Sequence, residues 1–161
     1  MPDVEAELDR AAALRVYEWR LREYAQSPGY QRIVREIALS RAKLFEDSCW
    51  DKFLWCLALV ETFERRLWLR GAERIAYYVS MRTAQMTLGP FQVQGAPLNI
   101  SDTVKLVISK LGEAGIDSSF CDENLTRLAR HWYGHAAIEP GAVCSYSDAM
   151  RCAEQVIADL S

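Results

Sequence analysis

Residues 50–60, WDKFLWCLALV, carry two charges, Asp51 and Lys52, both at the start. From 53 to 60 the run is wholly apolar, and a helix apolar on every face belongs at the centre of a domain with other elements packed around it. The run is far too short to cross a bilayer, whose hydrocarbon core takes about 20 helical residues, so it reads as core. Glu46-Asp47-Ser48, acidic and capping-competent, suits the positive end of the helix. Glu61 is the first acidic residue after the run. Arg65 and Arg66, followed by Gly71, suit the helix's C-terminal end and its stop.

Residues 3–26 place Val4, Leu8, Ala12, Leu14, Val16, Tyr17, Trp19 and Leu21 among charged residues at helical spacing, and Ser27-Pro28-Gly29 is a stop. A second helix is expected over 30–44, with Ile33, Val34, Ile37, Ala38 and Leu44 facing inward. Arg15, Arg20, Arg22, Arg32, Arg35 and Arg41 read as a solvated face balanced by neighbouring Glu. Residues 72–84 read as a further helix. The pattern then changes: TLGPFQVQGAPLNI has two Gly, two Pro and a short alternating apolar stretch, so it is loop or a small β element. Ser101-Asp102 begins a helix ending near 111. Ser119-Phe-Cys-Asp122 and Ser145-Tyr-Ser-Asp148 share capping-box spacing, and open helices reaching about 133 and 160. The fold class is mainly α, with about seven helices around the buried central one and a small β or loop element beside it.

A chain of 161 residues, half of them hydrophobic and a quarter charged, is most simply one globular domain. Its net charge of −3 argues against a nucleic-acid binder that works by neutralising phosphates. The start, MPDVEAELDR, is acidic and polar and does not resemble a secretory signal, so synthesis in the cytoplasm is expected. Cys49, Cys56, Cys121, Cys144 and Cys152 form no CxxC and read as mostly buried, reduced thiols. There is no GxSxG, Walker A or GxGxxG sequence. His131 and His135 share a helical face, but Gly134 lies between them and no HExxH occurs, so neither a metal nor a cofactor is expected.

The chemistry that remains centres on Glu61. A carboxylic acid donates a proton near neutral pH when apolar surroundings disfavour its charged form. Leu57, Val60 and Phe63 lie beside Glu61 in sequence, with Trp55 and Trp68 within two helical turns. The bland alternative is a Glu that marks where a buried helix emerges into solvent. The later turn adds Thr87 and Gln92, a hydroxyl and an amide able to orient a carboxyl group or bind a sugar N-acetyl, and Gly89-Pro90, which permits close backbone approach.

Glu61-Thr62 at the end of a buried helix resembles the Glu-Ser motif of lytic transglycosylases and related lysozyme-like proteins. Gly89-Pro90-Phe91-Gln92 resembles their Gly-Leu-Met-Gln motif, and Trp132-Tyr133-Gly134 their Tyr-Asn-Gly motif. Tyr146 falls where they place another aromatic before the last helix. The resemblance covers about 47–161 as a lysozyme-like catalytic domain, leaving 1–46 as an N-terminal helical extension packed with it in one globular unit. It implies a lysozyme-like fold with the β element next to a cleft. Its expected activity is cleavage of peptidoglycan glycan strands at a β-1,4 bond, with Glu61 as general acid and later base. Thr62, Thr87, Gly89, Gln92, Trp132, Tyr133 and Tyr146 would position the acid or the substrate. Tyr133 stands where the family usually has Asn. Glu73 sits roughly where goose-type lysozymes place a second acid, and equally suits a helix N-terminus. With Glu73 taking part the enzyme is a hydrolase; without it, a single-acid transglycosylase.

A second class of function stands beside this one: a catalytically inactive helical adaptor that keeps the fold for protein–protein contacts. For an enzyme acting on the wall, a partner or export machinery would have to carry the chain to the periplasm or cell wall. No membrane span and no nucleic acid are expected.

Overall fold

The computed structural model describes residues 4–44, 46–63, 87–88, 91, 93–94, 99–134, 136, 138 and 143–161. Among them are six α-helices: α1 (Val4–Ala25), α2 (Pro28–Lys43), α3 (Cys49–Phe63), α4 (Ile100–Glu113), α5 (Asp122–Leu128) and α6 (Tyr146–Leu160). One antiparallel pairing joins β1 (Thr87–Leu88) to β2 (Val93–Gln94), with Thr87 opposite Gln94 and Leu88 opposite Val93. The protein is mainly helical. The expected helix over 72–84 lies outside the described residues.

Helix α3 is the central element. Phe53, Leu54, Cys56, Leu57, Ala58, Leu59 and Val60 are all buried on it and Trp55 is half-buried, so its middle turns are covered on nearly every side. α6, α2 and α1 pack against it. α6 contributes Ala149, Met150, Ala153, Val156 and Ile157, and α4 closes on α2 through Val104, Val107 and Leu111. Phe91, beside the β pairing, is also fully buried.

Local chemistry explains the helix starts. Ser27 ends α1 and caps α2: its Oγ accepts from Tyr30 N at 3.3 Å, and Pro28 takes a first-turn position where no N–H is needed. Asp47 accepts from Cys49 N at 2.9 Å at the head of α3. Ser145 accepts from Asp148 N at 3.1 Å at the head of α6, as the spacing of the four residues implies.

Two expected starts differ. α4 is capped by Asn99, whose Oδ1 accepts from Ser101 N at 2.8 Å, so Ser101 and Asp102 already lie inside the helix. Ser119 caps nothing: its N–H is held by Asp117 Oδ1, the cap position is Cys121, and Asp122 is the first helical residue. The loop is organised instead by buried Asn124, which accepts from Asp117 N and donates to the carbonyls of Asp117 and Ser119.

Polar ties join the helices. Tyr30 Oη donates to Trp55 O at 2.8 Å, and Trp55 Nε1 to Val34 O at 3.2 Å, locking α2 on α3. Arg41 grips Asp51 with two bonds of 2.7 and 2.8 Å, and Arg22 bonds Asp159 across α1 and α6 at 2.6 Å. The arginines are therefore not one solvated face. Arg22 and Arg41 hold helices together, while Arg15, Arg20, Arg32 and Arg35 are exposed, as a solvated face requires.

Candidate functional site

Glu61 lies in the last turn of α3, half-buried, where the apolar core meets the surface. Tyr146, the first residue of α6, is buried, and its hydroxyl donates to Glu61 Oε1 at 2.5 Å. That separation lies at the short end of the O–H···O hydrogen-bond range. Burial, then the Glu61 charge and the bond itself, push the Tyr146 phenol well above its ordinary range, with smaller contributions from Tyr17 and Tyr133. Tyr146 is therefore a standing donor. The Ser145 cap fixes the start of α6 and so fixes where that donor points.

Tyr133 continues the line outward. Its ring stacks on Tyr146 with centroids 5.1 Å apart and planes 22° from parallel, and the side chain is 42% exposed. The residue is carried by a wider π-type turn, Ala129–Tyr133, that follows α5. Gly134 N closes this turn on Ala129 O at 3.0 Å, and Gly134 adopts φ +105°, a conformation open to glycine and strained for other residues. Trp132 is half-buried against the core and His131 is exposed on the same turn. Half-buried carboxylate, buried phenol and exposed aromatic ring thus form one contiguous series, assembled from α3, α6 and the π turn.

Thr62 faces elsewhere. It is buried, its Oγ1 donates to Ala58 O at 2.7 Å, and it accepts from Tyr24 Oη at 2.8 Å. This sets it in the α1–α3 contact rather than on the rim beside Tyr133. Adjacent residues on a helix point about 100° apart, so Glu61 at the surface turns Thr62 inward. Thr87 is described through its backbone pairing with Gln94. Glu73, Gly89, Pro90, Gln92 and His135 lie outside the described residues.

Reasoning from sequence missed two residues near the site. Tyr17 packs edge-on against Phe63 at 5.4 Å, and Tyr24 reaches Thr62 from the same helix. Both lie on α1, in the stretch outside the resemblance. Their spacing of seven, two helical turns, is the signal that places them on one face.

No protein-family model, no curated protein and no solved structure matches this chain. Among the described residues no three metal-ligating side chains come together, and no helix is long and apolar enough to cross a membrane.

Proposed function

We propose that this chain cleaves the glycan strands of peptidoglycan at a β-1,4 bond, with Glu61 as the acid and then the base, in a lysozyme-like catalytic domain. The observation that carries the reading is the Tyr146–Glu61 hydrogen bond at the surface end of the central helix, with the exposed ring of Tyr133 beside it. Tyr146 holds one carboxyl oxygen of Glu61 and so fixes the direction of the carboxyl group. Tyr133, and Trp132 on the same turn, suit stacking on a sugar face.

In the single-acid form Glu61 gives its proton to the leaving oxygen as the C1–O bond breaks. The substrate's N-acetyl oxygen stabilises the developing cation. The 6-hydroxyl of the same sugar then attacks C1, Glu61 takes the hydroxyl proton, and a 1,6-anhydro sugar leaves with no water consumed. In the hydrolytic form water replaces the 6-hydroxyl, and Glu73 is the candidate second carboxylate. Thr87, Gly89 and Gln92 retain their proposed roles at the substrate.

Digestion of purified peptidoglycan by wild type and by Glu61→Gln, with mass spectrometry of the soluble products, tests this. Anhydro-muropeptides from wild type alone support the transglycosylase, and new reducing ends support the hydrolase. Release by neither protein would sink both. The adaptor reading is favoured by a specific observation: the same Tyr146–Glu61 bond also ties α3 to α6, a purely structural use. Under it, Glu61→Gln lowers stability and releases no less glycan than wild type.

A further inference from the structure

Helix α1 has two apolar faces. Tyr17, Leu21 and Ala25 enter the core, whereas Val4, Leu8, Val16 and Trp19 are 65, 63, 50 and 57% exposed. At about 100° per residue, Val4, Leu8, Ala12, Val16 and Trp19 fall within an arc of about 120°, opposite the core-facing residues. This stripe runs for about 22 Å. Its four large side chains expose on the order of 400 Å² of apolar surface, enough to mark an interaction site on a small protein.

We propose that this face pairs with the same face of a second copy, the two α1 helices running antiparallel about a two-fold axis at Ala12. Three features select that occupant. The stripe reads nearly the same way from both ends, in the sense a two-fold axis demands: Leu8 meets Val16 of the other copy, and Val4 falls within one residue of Trp19, small against large. Exposed Ala11 and Ala12 lie at the axis, where small side chains let two helices approach. The charges complement as well. The N-terminal half carries exposed Glu5, Glu7 and Asp9 against Arg10, and the C-terminal half carries exposed Arg15 and Arg20 against Glu23, with half-buried Glu18 and Arg22 already paired to each other. Antiparallel pairing sets acidic half against basic half and opposes the two helix dipoles, whereas parallel pairing sets like against like. The surface is smaller than the roughly 800 Å² per partner of a standard interface, so the association is a reversible one in the micromolar range.

Sedimentation equilibrium of the full chain from about 1 µM to 1 mM tests the pairing. Wild type is expected to pass from monomer to dimer, and Ala12→Glu, which sets two like charges face to face at the axis, to weaken the dimer roughly 100-fold. Leu8→Glu and Val16→Lys should each weaken it alone. Combined in one chain they should restore it, because the new charges meet only in the antiparallel register. All three positions are exposed on a regular helix, and far-UV circular dichroism should show each variant folded. A wild type that stays monomeric across the range overturns the proposal, as does a dimer indifferent to Ala12→Glu or a double variant that fails to recover. Co-sedimentation of monomer with phosphatidylglycerol vesicles, lost in Leu8→Glu, would assign the face to a membrane surface instead.

Discussion

Glu61 and Tyr146 are 85 residues apart, and each was visible in the sequence only as a single residue at a helix boundary. Their bond is a tertiary fact, produced by packing α6 on α3, and no local pattern encodes it. Removing the hydroxyl while keeping the ring isolates that bond. Tyr146→Phe is expected to lose about 0.5–3 kcal/mol in urea denaturation, the range that spans hydrogen bonds to neutral and to charged groups. It should also leave the Tyr133 stack in place, read as an unchanged near-UV spectrum. A loss below about 0.5 kcal/mol, the low end for neutral bonds, would mean that Glu61 does not depend on this donor. The cysteines offer a second check. Cys56 and Cys152 are buried, and burial pushes both thiols up, Cys152 to about 11. The Ser119 hydroxyl holds exposed Cys121 below its ordinary value, whereas Asp47 raises exposed Cys49. Because the thiolate is the nucleophile, peptide mapping after brief iodoacetamide treatment at neutral pH should find Cys121 modified first. Cys56 and Cys152 should stay unmodified until the chain unfolds. Prior labelling of Cys56 would contradict the packing of α3.

At the scale of elements, helices were legible where apolar spacing and a capping side chain agreed, as at Asp47 and Ser145, whereas Ser27, read as a stop, also caps the helix that follows. They were less so where a neighbouring side chain out-competed the obvious cap: Asn99 for α4, and Asp117 with Asn124 before α5. The π turn was not legible, since the sequence 122–133 reads as one regular helix and only the left-handed Gly134 marks its closure. Gly134→Ala tests that closure. A Cβ there meets no atom within 4 Å, so the cost is conformational, about 1–2 kcal/mol. The near-UV signal of the Tyr133–Tyr146 stack should weaken with it; an unchanged signal would uncouple the turn from the site. The contact of α1 with α6 carries a pH signature. Arg22, then Gln155, hold the Asp159 carboxyl below its usual range. A depressed carboxylate contributes stability above its unfolded pKa, about 3.9, and loses it as pH falls through the lower folded value. Urea midpoints measured from about pH 5 down to pH 2 should therefore fall less steeply for Asp159→Asn than for wild type. Parallel curves would remove Asp159 from the acid response.

For the whole molecule the question is whether α1 and α2 are an extension or part of one cooperative unit. The resemblance divides the chain near residue 46, yet the described residues share a single core. Tyr17, Leu21 and Ala25 of α1, and Tyr30 and Ile37 of α2, are buried with α3, α4 and α6. Tyr24 reaches Thr62, and Tyr30 reaches the Trp55 carbonyl, so the polar ties cross the same boundary. The expectation that 1–46 packs with the rest in one unit said nothing of which face does so, because α1 is apolar on two opposite faces and the arginines that tie helices look like those that face water. Leu21 is the residue that decides. It is fully buried, and Leu21→Ala opens a cavity at the centre of the α1 contact. A cavity of that kind costs about 2–5 kcal/mol. If the chain unfolds as one unit, the urea midpoint falls by that amount at constant m value, with tryptophan fluorescence and far-UV circular dichroism tracing one transition. If α1 is a separable extension, the variant shows an early loss of helix signal while the fluorescence of the tryptophans beyond α1, half-buried Trp55 against α2 among them, keeps the wild-type midpoint. In that case the support α1 gives through Tyr24 to Thr62, next to Glu61, is dispensable, and the site must be held by α3 and α6 alone.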